Sequence, residues 1–253
     1  MKKPLIIIAC VFLAAGTVSA TPSKLIHIPS TDVQPYGTFH LGIENNTTMF
    51  RQRDIGGHAE PVDIGVSAGL LDAEAFQVEA GIDMREPYDY PVTFHGKIAT
   101  TEAALGKWGP IFAVGMYDVG TDKFKNDINI IYGEASKTVS FIGRFTVGYF
   151  FGNSYFLKNQ AGSDDNRGLL LGFDRRMPEV NEKLWLSIDY MGGRSYYGAV
   201  TFGIGWAYSD KATLVIGYVR YNEEAVATGW PPGDPANSPR GANVMTWQAH
   251  FDF

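Results

Sequence analysis

The chain has 253 residues, with 21 Lys and Arg against 27 Asp and Glu, a formal charge of −6 at neutral pH. A nucleic-acid partner requires a basic footprint, which this balance does not supply. One cysteine, Cys10, excludes a disulfide framework, and no apolar run after residue 20 approaches the roughly 20 residues of a membrane helix.

Residues 1–20 carry the pattern of a secretory signal: Lys2 and Lys3, an apolar run over residues 5–15, then small residues through Ala20. Ile7, Ile8, Ala9 and Cys10 loosely resemble a lipoprotein box, but the apolar run continues past the cysteine, so cleavage is expected before Thr21. Losing Lys2 and Lys3 leaves 19 basic residues against 27 acidic ones, a formal −8, and no cysteine. Residues 21–36 then form a short N-terminal segment, expected in the periplasm, and residues 37–253 a single domain.

That domain is a succession of about twelve segments with period-two alternation, the signature of strands with one apolar and one polar face. The first, over 38–46, sets Phe39, Leu41 and Ile43 against His40, Gly42 and Glu44. The second, over 62–70, sets Val62, Ile64, Val66 and Ala68 against Asp63, Gly65, Ser67 and Gly69. In the third, Phe76, Val78, Ala80, Ile82 and Met84 oppose Gln77, Glu79, Gly81, Asp83 and Arg85. The fourth, over 92–99, opposes Val92 and Phe94 to Thr93, His95 and Lys97. A fifth is expected over 111–119 and a sixth over 128–135.

The second half has stronger apolar faces. Phe141, Gly143, Phe145, Val147, Tyr149 and Phe151 oppose Arg144, Thr146 and Gly148. Leu169, Leu171 and Phe173 oppose Gly172 and Asp174, and Leu184, Leu186, Ile188 and Tyr190 oppose Trp185, Ser187 and Asp189. Val200, Phe202, Ile204 and Trp206 oppose Thr201, Gly203 and Gly205. Over 212–221 Val215 and Val219 interrupt the polar face, and over 243–253 Val244 does the same. In that last strand Met245, Trp247, Ala249, Phe251 and Phe253 form the apolar row, with Tyr190, Trp206, Tyr208, Tyr218 and Trp247 placed for interfacial girdles.

An aromatic ending of this kind resembles the terminal strand of Gram-negative outer-membrane β-barrels, in which Trp247, Phe251 and Phe253 would serve as the signal read by the barrel assembly machinery. The resemblance implies an all-β fold: an antiparallel, up-and-down transmembrane barrel, porin-like, in contact with outer-membrane lipid and lipopolysaccharide. The connections alternate in length, as the two rims of such a barrel should. Those over 46–61, 120–127, 152–167 and 222–242 are long, whereas 70–73, 135–139 and 209–211 are tight. The 100–110 connection is a longer exception on the tight side, and those over 87–90 and 192–196 are short exceptions on the long side. An even strand count with both termini on the tight side places the long loops outside the cell and the termini in the periplasm.

Barrels of similar strand number include solute channels, lipid hydrolases and autotransporter translocators. Residues 21–36 leave no room for a passenger or threading helix. The polar face carries Glu44, Asp63, Glu79, Asp83, Asp174 and Asp189 against Arg85, Lys97, Arg144, His40, His95 and His250, and the first six with Arg85, His95, Lys97 and Arg144 are the expected pore lining. A third hairpin symmetrical about Asp89 would put Asp83 opposite His95. No histidine stands in the His-x-Ser-Asn-Gly arrangement that outer-membrane phospholipases resemble, so no catalytic residue is assigned. Ser163, Asp164, Asp165 and Asn166 lack a complete calcium loop, and no metal or cofactor is expected. The reading is a passive narrow channel for small solutes or ions, against a sealed structural or ligand-binding barrel and a lipid hydrolase.

Overall fold

The structure, a computed structural model, describes residues 23–48, 62–86, 89–102, 104–106, 108–223 and 243–253. The signal pattern and the proline-bearing stretch over 229–240 lie outside these residues. Twelve strands follow in chain order: β1 (Phe39–Thr48), β2 (Val62–Asp72), β3 (Phe76–Glu86), β4 (Val92–Thr100), β5 (Ile111–Gly120), β6 (Ile130–Val139), β7 (Gly143–Phe151), β8 (Arg167–Arg176), β9 (Leu184–Met191), β10 (Ala199–Ser209), β11 (Ala212–Tyr221) and β12 (Val244–Asp252).

Each strand pairs antiparallel with its sequence neighbours, and β1 pairs with β12 from His40↔Asp252 to Thr48↔Val244, so the sheet closes. Phe39 and Phe253 exchange two backbone hydrogen bonds, 3.3 and 2.9 Å, at the end of that seam. Closure leaves no sheet edge, the condition for a sheet to sit in hydrocarbon. Val66, Ile82, Phe94, Phe112, Val114, Phe145, Val147, Phe202, Ile204 and Trp247 are exposed on the outer wall. An apolar belt of this extent would aggregate a soluble chain and is what a membrane barrel turns to lipid.

Two local features depart from the period-two reading. β7 starts at Gly143, because Phe141 (φ 65°) and Gly143 (φ 141°) turn the chain through a tight corner; Phe141 leaves the apolar row and is 93% exposed. In the β3–β4 ladder Thr93, not His95, lies opposite Asp83, and Lys97 faces Glu79. Arg85 N–H bonds to the Pro91 carbonyl at 3.0 Å, and every partner is shifted by two from a hairpin symmetrical about Asp89.

The segment expected in the periplasm lies inside the barrel. Residues 23–30 double back as a small hairpin, with Lys24 bridged to Pro29, Leu25 N–H donating to the Ile28 carbonyl at 2.9 Å and Ser30 N–H to the Ser23 carbonyl at 3.1 Å. Leu25, Ile26 and Ile28 are buried, as are Ser30, Thr31 and Gln34. The chain then passes over Gly69, where a Cβ would sit 2.0 Å from the Pro35 carbonyl oxygen, and joins the wall through Gly37. Gly37 has φ 76°, and its N–H bonds to the Gly69 carbonyl at 3.0 Å.

The barrel interior has two chemical halves. Leu25 and Ile28 pack with Ile130, Tyr132, Phe150, Leu170 and Met191 of β6–β9, and with Ile128, Phe156 and Leu157 from the connections at the β7–β8 end. Ala199, Val219 and Val244 form a second apolar group on β10–β12. Leu25 occupies the space that Gly172 leaves, and Ile26 the space at Gly203 and Gly217. The interior on β1–β4 is charged and histidine-bearing, and Asp118, Glu134, Arg144, Asp174, Asp189 and His250 add polar groups from the other strands.

Candidate functional site in the lumen

The hairpin is held by polar contacts at its base, its tip and one flank. At the base, Glu79 accepts from Ser23 Oγ at 2.9 Å and from Gln34 N–H at 2.7 Å, tying both limbs to β3. Lys97 donates to the carbonyls of Ser23 (2.9 Å) and Ser30 (2.8 Å), and its ammonium lies 3.3 Å from Glu79. This ion pair is almost wholly buried, so either partner alone would be a costly unpaired charge. At the tip, Asp189 of β9 accepts the N–H groups of Ile26 and His27 at 2.8 and 3.0 Å and the hydroxyl of Thr201. His27 Nε2 donates to the Tyr197 carbonyl at 2.7 Å, and Gln248 donates to that of Ile26 at 2.8 Å. On the flank, Arg144 bridges Asp32 of the hairpin strand (2.5 Å) and Asp174 of β8 (2.8 Å), while Lys24 pairs with Glu44.

These partners set the protonation of the hairpin's own groups. Burial pushes the His27 imidazole down against the upward pull of Asp189, so it stays neutral near pH 7. Burial pushes the Asp32 carboxyl up, but Arg144 beside it more than offsets this and holds it below the usual carboxylate range.

Above the hairpin tip, Arg85 links Asp63 (3.0 Å), Asp118 (2.5 Å) and the Tyr197 hydroxyl (3.3 Å). Asp118 turns inward because it occupies a bulge in β5, where two residues oppose His95, and it adopts φ 53° there. On the polar wall, His95 Nδ1 lies 2.6 Å from Asp83 Oδ2 and its Nε2 2.9 Å from Ser67 Oγ. Beside it, His40 lies 2.7 Å from Asp252 and 3.1 Å from His250, with which it stacks.

All ten residues expected to line a pore, Glu44, Asp63, Glu79, Asp83, Arg85, His95, Lys97, Arg144, Asp174 and Asp189, carry their side chains on the inner wall, where each is joined to another wall residue or to the hairpin. Trp247, Phe251 and Phe253 lie on or beyond the outer row of β12. Sequence reasoning missed Lys24, His27 and Asp32, which lie in no strand, and Asp118, which the bulge reverses. It also missed Ser67, whose partner comes from a strand two away. In the 152–167 connection, Asp164 pairs with Lys158 and Asp165 accepts the Arg194 N–H at 2.7 Å.

A cavity of about 660 Å³ opens at the end of the barrel bearing the 140–142 and 177–183 connections. Lys24 and Asp32 of the hairpin line it together with Arg144, Asp174, Trp185 and Val215 of the wall.

No protein-family model and no curated protein sequence matches the chain. Solved structures do. An outer-membrane channel of Pseudomonas putida F1 superposes with TM-score 0.50 at 10% identity, covering 88% of this chain and 98% of that one. The NanC porin superposes with TM-score 0.52 at 10% identity, covering 84% and 98%. The fold is that of Gram-negative outer-membrane β-barrels. The barrel fold is the shared feature, and the twelve-strand closure, the hairpin, the cavity and the His95 cluster are read from this chain's own residues.

Proposed function

We propose that this barrel is a channel for small solutes or ions whose bore is set by its own N-terminal hairpin. The supporting observation is that residues 23–34 obstruct the interior without contributing a strand to the wall: every ladder runs from residue 39 onward. At about twelve strands the wall encloses more room than its own side chains fill, between the packed eight-stranded barrels and the open sixteen-stranded porins. The cavity at the tight-connection end is then a vestibule, blind because the hairpin and the apolar collar of Ile130, Phe150, Leu170 and Met191 close the far end. In this reading the tight connections and residues 35–38 face the periplasm and the long connections face outside, in contact with lipopolysaccharide. Delivery to the membrane uses the assembly machinery through Trp247, Phe251 and Phe253.

The collar favours a second reading, a sealed barrel that acts through its long connections. Conductance in planar bilayers decides between them. The full chain should give small or infrequent steps, and removal of residues 23–34 should enlarge them several-fold. A barrel that inserts stably and passes no ions with or without those residues is sealed, and the channel reading is then wrong.

A further inference from the structure

The polar wall holds a second arrangement that the channel reading does not use. Ser67 on β2, Gly81 on β3 and His95 on β4 lie in one row across three strands, since Ser67 pairs with Gly81 and Gly81 with His95. Side chains two strands apart do not ordinarily meet, because the intervening residue separates them. Here that residue is glycine: a Cβ at position 81 would lie 2.3 Å from His95 Nε2, so its absence lets the imidazole lie across β3 to Ser67 Oγ at 2.9 Å. Asp83, two residues along β3, reaches His95 Nδ1 at 2.6 Å, and it too lies over a glycine, Gly65, where a Cβ would be 2.4 Å from Asp83 Oδ1. Two glycines thus clear the floor on which serine, histidine and aspartate align in sequence.

We propose that Ser67, His95 and Asp83 form a nucleophilic triad that hydrolyses small carboxylic esters reaching the lumen. In the neutral imidazole, Nδ1–H donates to Asp83, which fixes the tautomer and leaves Nε2 to accept the Ser67 hydroxyl proton. Ser67 Oγ attacks the ester carbonyl carbon as His95 takes that proton. The bond to the leaving oxygen breaks, and His95 returns the proton to the departing alcohol. Water then attacks the acyl-serine, His95 takes its proton, and the carboxylic acid leaves with Ser67 Oγ–H restored. Ser67 is the nucleophile, His95 the general base and acid, and Asp83 a positioning residue. The hairpin brings the Lys24 ammonium to this wall, where it pairs with Glu44. His95 and Asp83 keep 15% and 19% of their side-chain surface accessible. Diagonal to Ser67 lies Gly42, where an added Cβ would be in ordinary contact with His250, His40 and Glu44 at 3.6–3.9 Å.

The test uses the full-length processed protein in detergent micelles, with heat-modifiable electrophoretic mobility as the check that each variant is folded. A small fluorophosphonate ester should modify Ser67 and no other residue, as located by peptide mass, and 4-nitrophenyl acetate should be hydrolysed at a rate that the same modification abolishes. Ser67→Ala should abolish both, and His95→Gln should slow both by about 100-fold or more. Asp83→Ala should slow both, and Asp83→Glu, which keeps the carboxylate, should recover part of the loss; recovery is not expected of a residue that only supports the fold. A folded protein whose Ser67 stays unmodified, or is modified equally fast in His95→Gln or in Asp83→Ala, overturns the proposal. Neither readout requires an open path through the barrel, so the bilayer result leaves this one independent.

Discussion

The wall of β1–β4 and the wall of β6–β11 face the same lumen with different chemistry: the first is almost wholly polar, and the second mixes apolar and polar side chains. The first presents His40, Glu44, Asp63, Ser67, Glu79, Asp83, His95 and Lys97 and, among the described residues, no buried apolar side chain larger than that of Ala99; the second sets Ile130, Phe150, Leu170, Met191, Val215 and Val219, with Gly172, Gly203 and Gly217, among a few polar groups, of which Arg144, Asp174 and Asp189 hold the hairpin or one another. The hairpin between the walls matches each. Ser23, Lys24 and Gln34 bond to the first, and Leu25, Ile26 and Ile28 fill the glycine gaps of the second. An inner wall that met only water would gain nothing from Val215 or Leu170, so apolar residues on a barrel's inner face mark where another part of the chain is docked.

Removing residues 23–34 breaks this contrast most completely. It should leave the heat-modifiable barrel intact, because no ladder bond is lost, while conductance rises several-fold in planar bilayers. Glu79→Ala acts on the polar side alone. It strips both hairpin limbs of their shared acceptor and leaves the Lys97 ammonium buried without its carboxylate, a loss of about 3–5 kcal/mol where a buried pair is broken. Amide exchange of Ser23 to Gln34 should accelerate accordingly, with wall amides unchanged. Gly172→Ala acts on the apolar side. Its methyl would meet the end of the Leu25 side chain at 2.4 Å, so the cost should be an overpacking of about 1–3 kcal/mol, read in the same exchange experiment at Leu25 and Ile28.

Acid should have the smallest effect. His27 and Asp32 both have docked pKa values below their free ones, so each favours docking above its free pKa and loses that contribution as pH falls. The hairpin should therefore loosen first below about pH 6.5, as free His27 gains a proton that the docked one resists, and again below about pH 4 through Asp32. Exchange protection at Ile26 and His27 that rises on acidification would contradict both assignments.

The wall was legible in the sequence because alternation is local: each strand states its own faces, and the ends of β2, β3, β9 and β11 fall within two residues of where the pattern places them. Seam closure was legible for a related reason, since a barrel's first and last strands must pair. The hairpin was not, because residues 23–34 form no alternating run and are held by partners distant in sequence, such as Glu79, 45 residues from Gln34, and Asp189, 163 from Ile26. Val219 and Val244, visible as defects on a polar face, pack with Ala199 and Tyr221 instead. The His95 cluster was half legible. Asp83 and His95 were expected to meet directly across a ladder and instead meet diagonally, while Ser67 enters through a register that no single strand encodes.

Gly37 decides how the interior can be emptied. The hairpin is hinged to the wall at the same mouth where β1 begins and β12 ends, and it hangs from that hinge without crossing the seam. No rung of the sheet runs through residues 23–34, so every contact that keeps them inside can be lost with the wall still fastened.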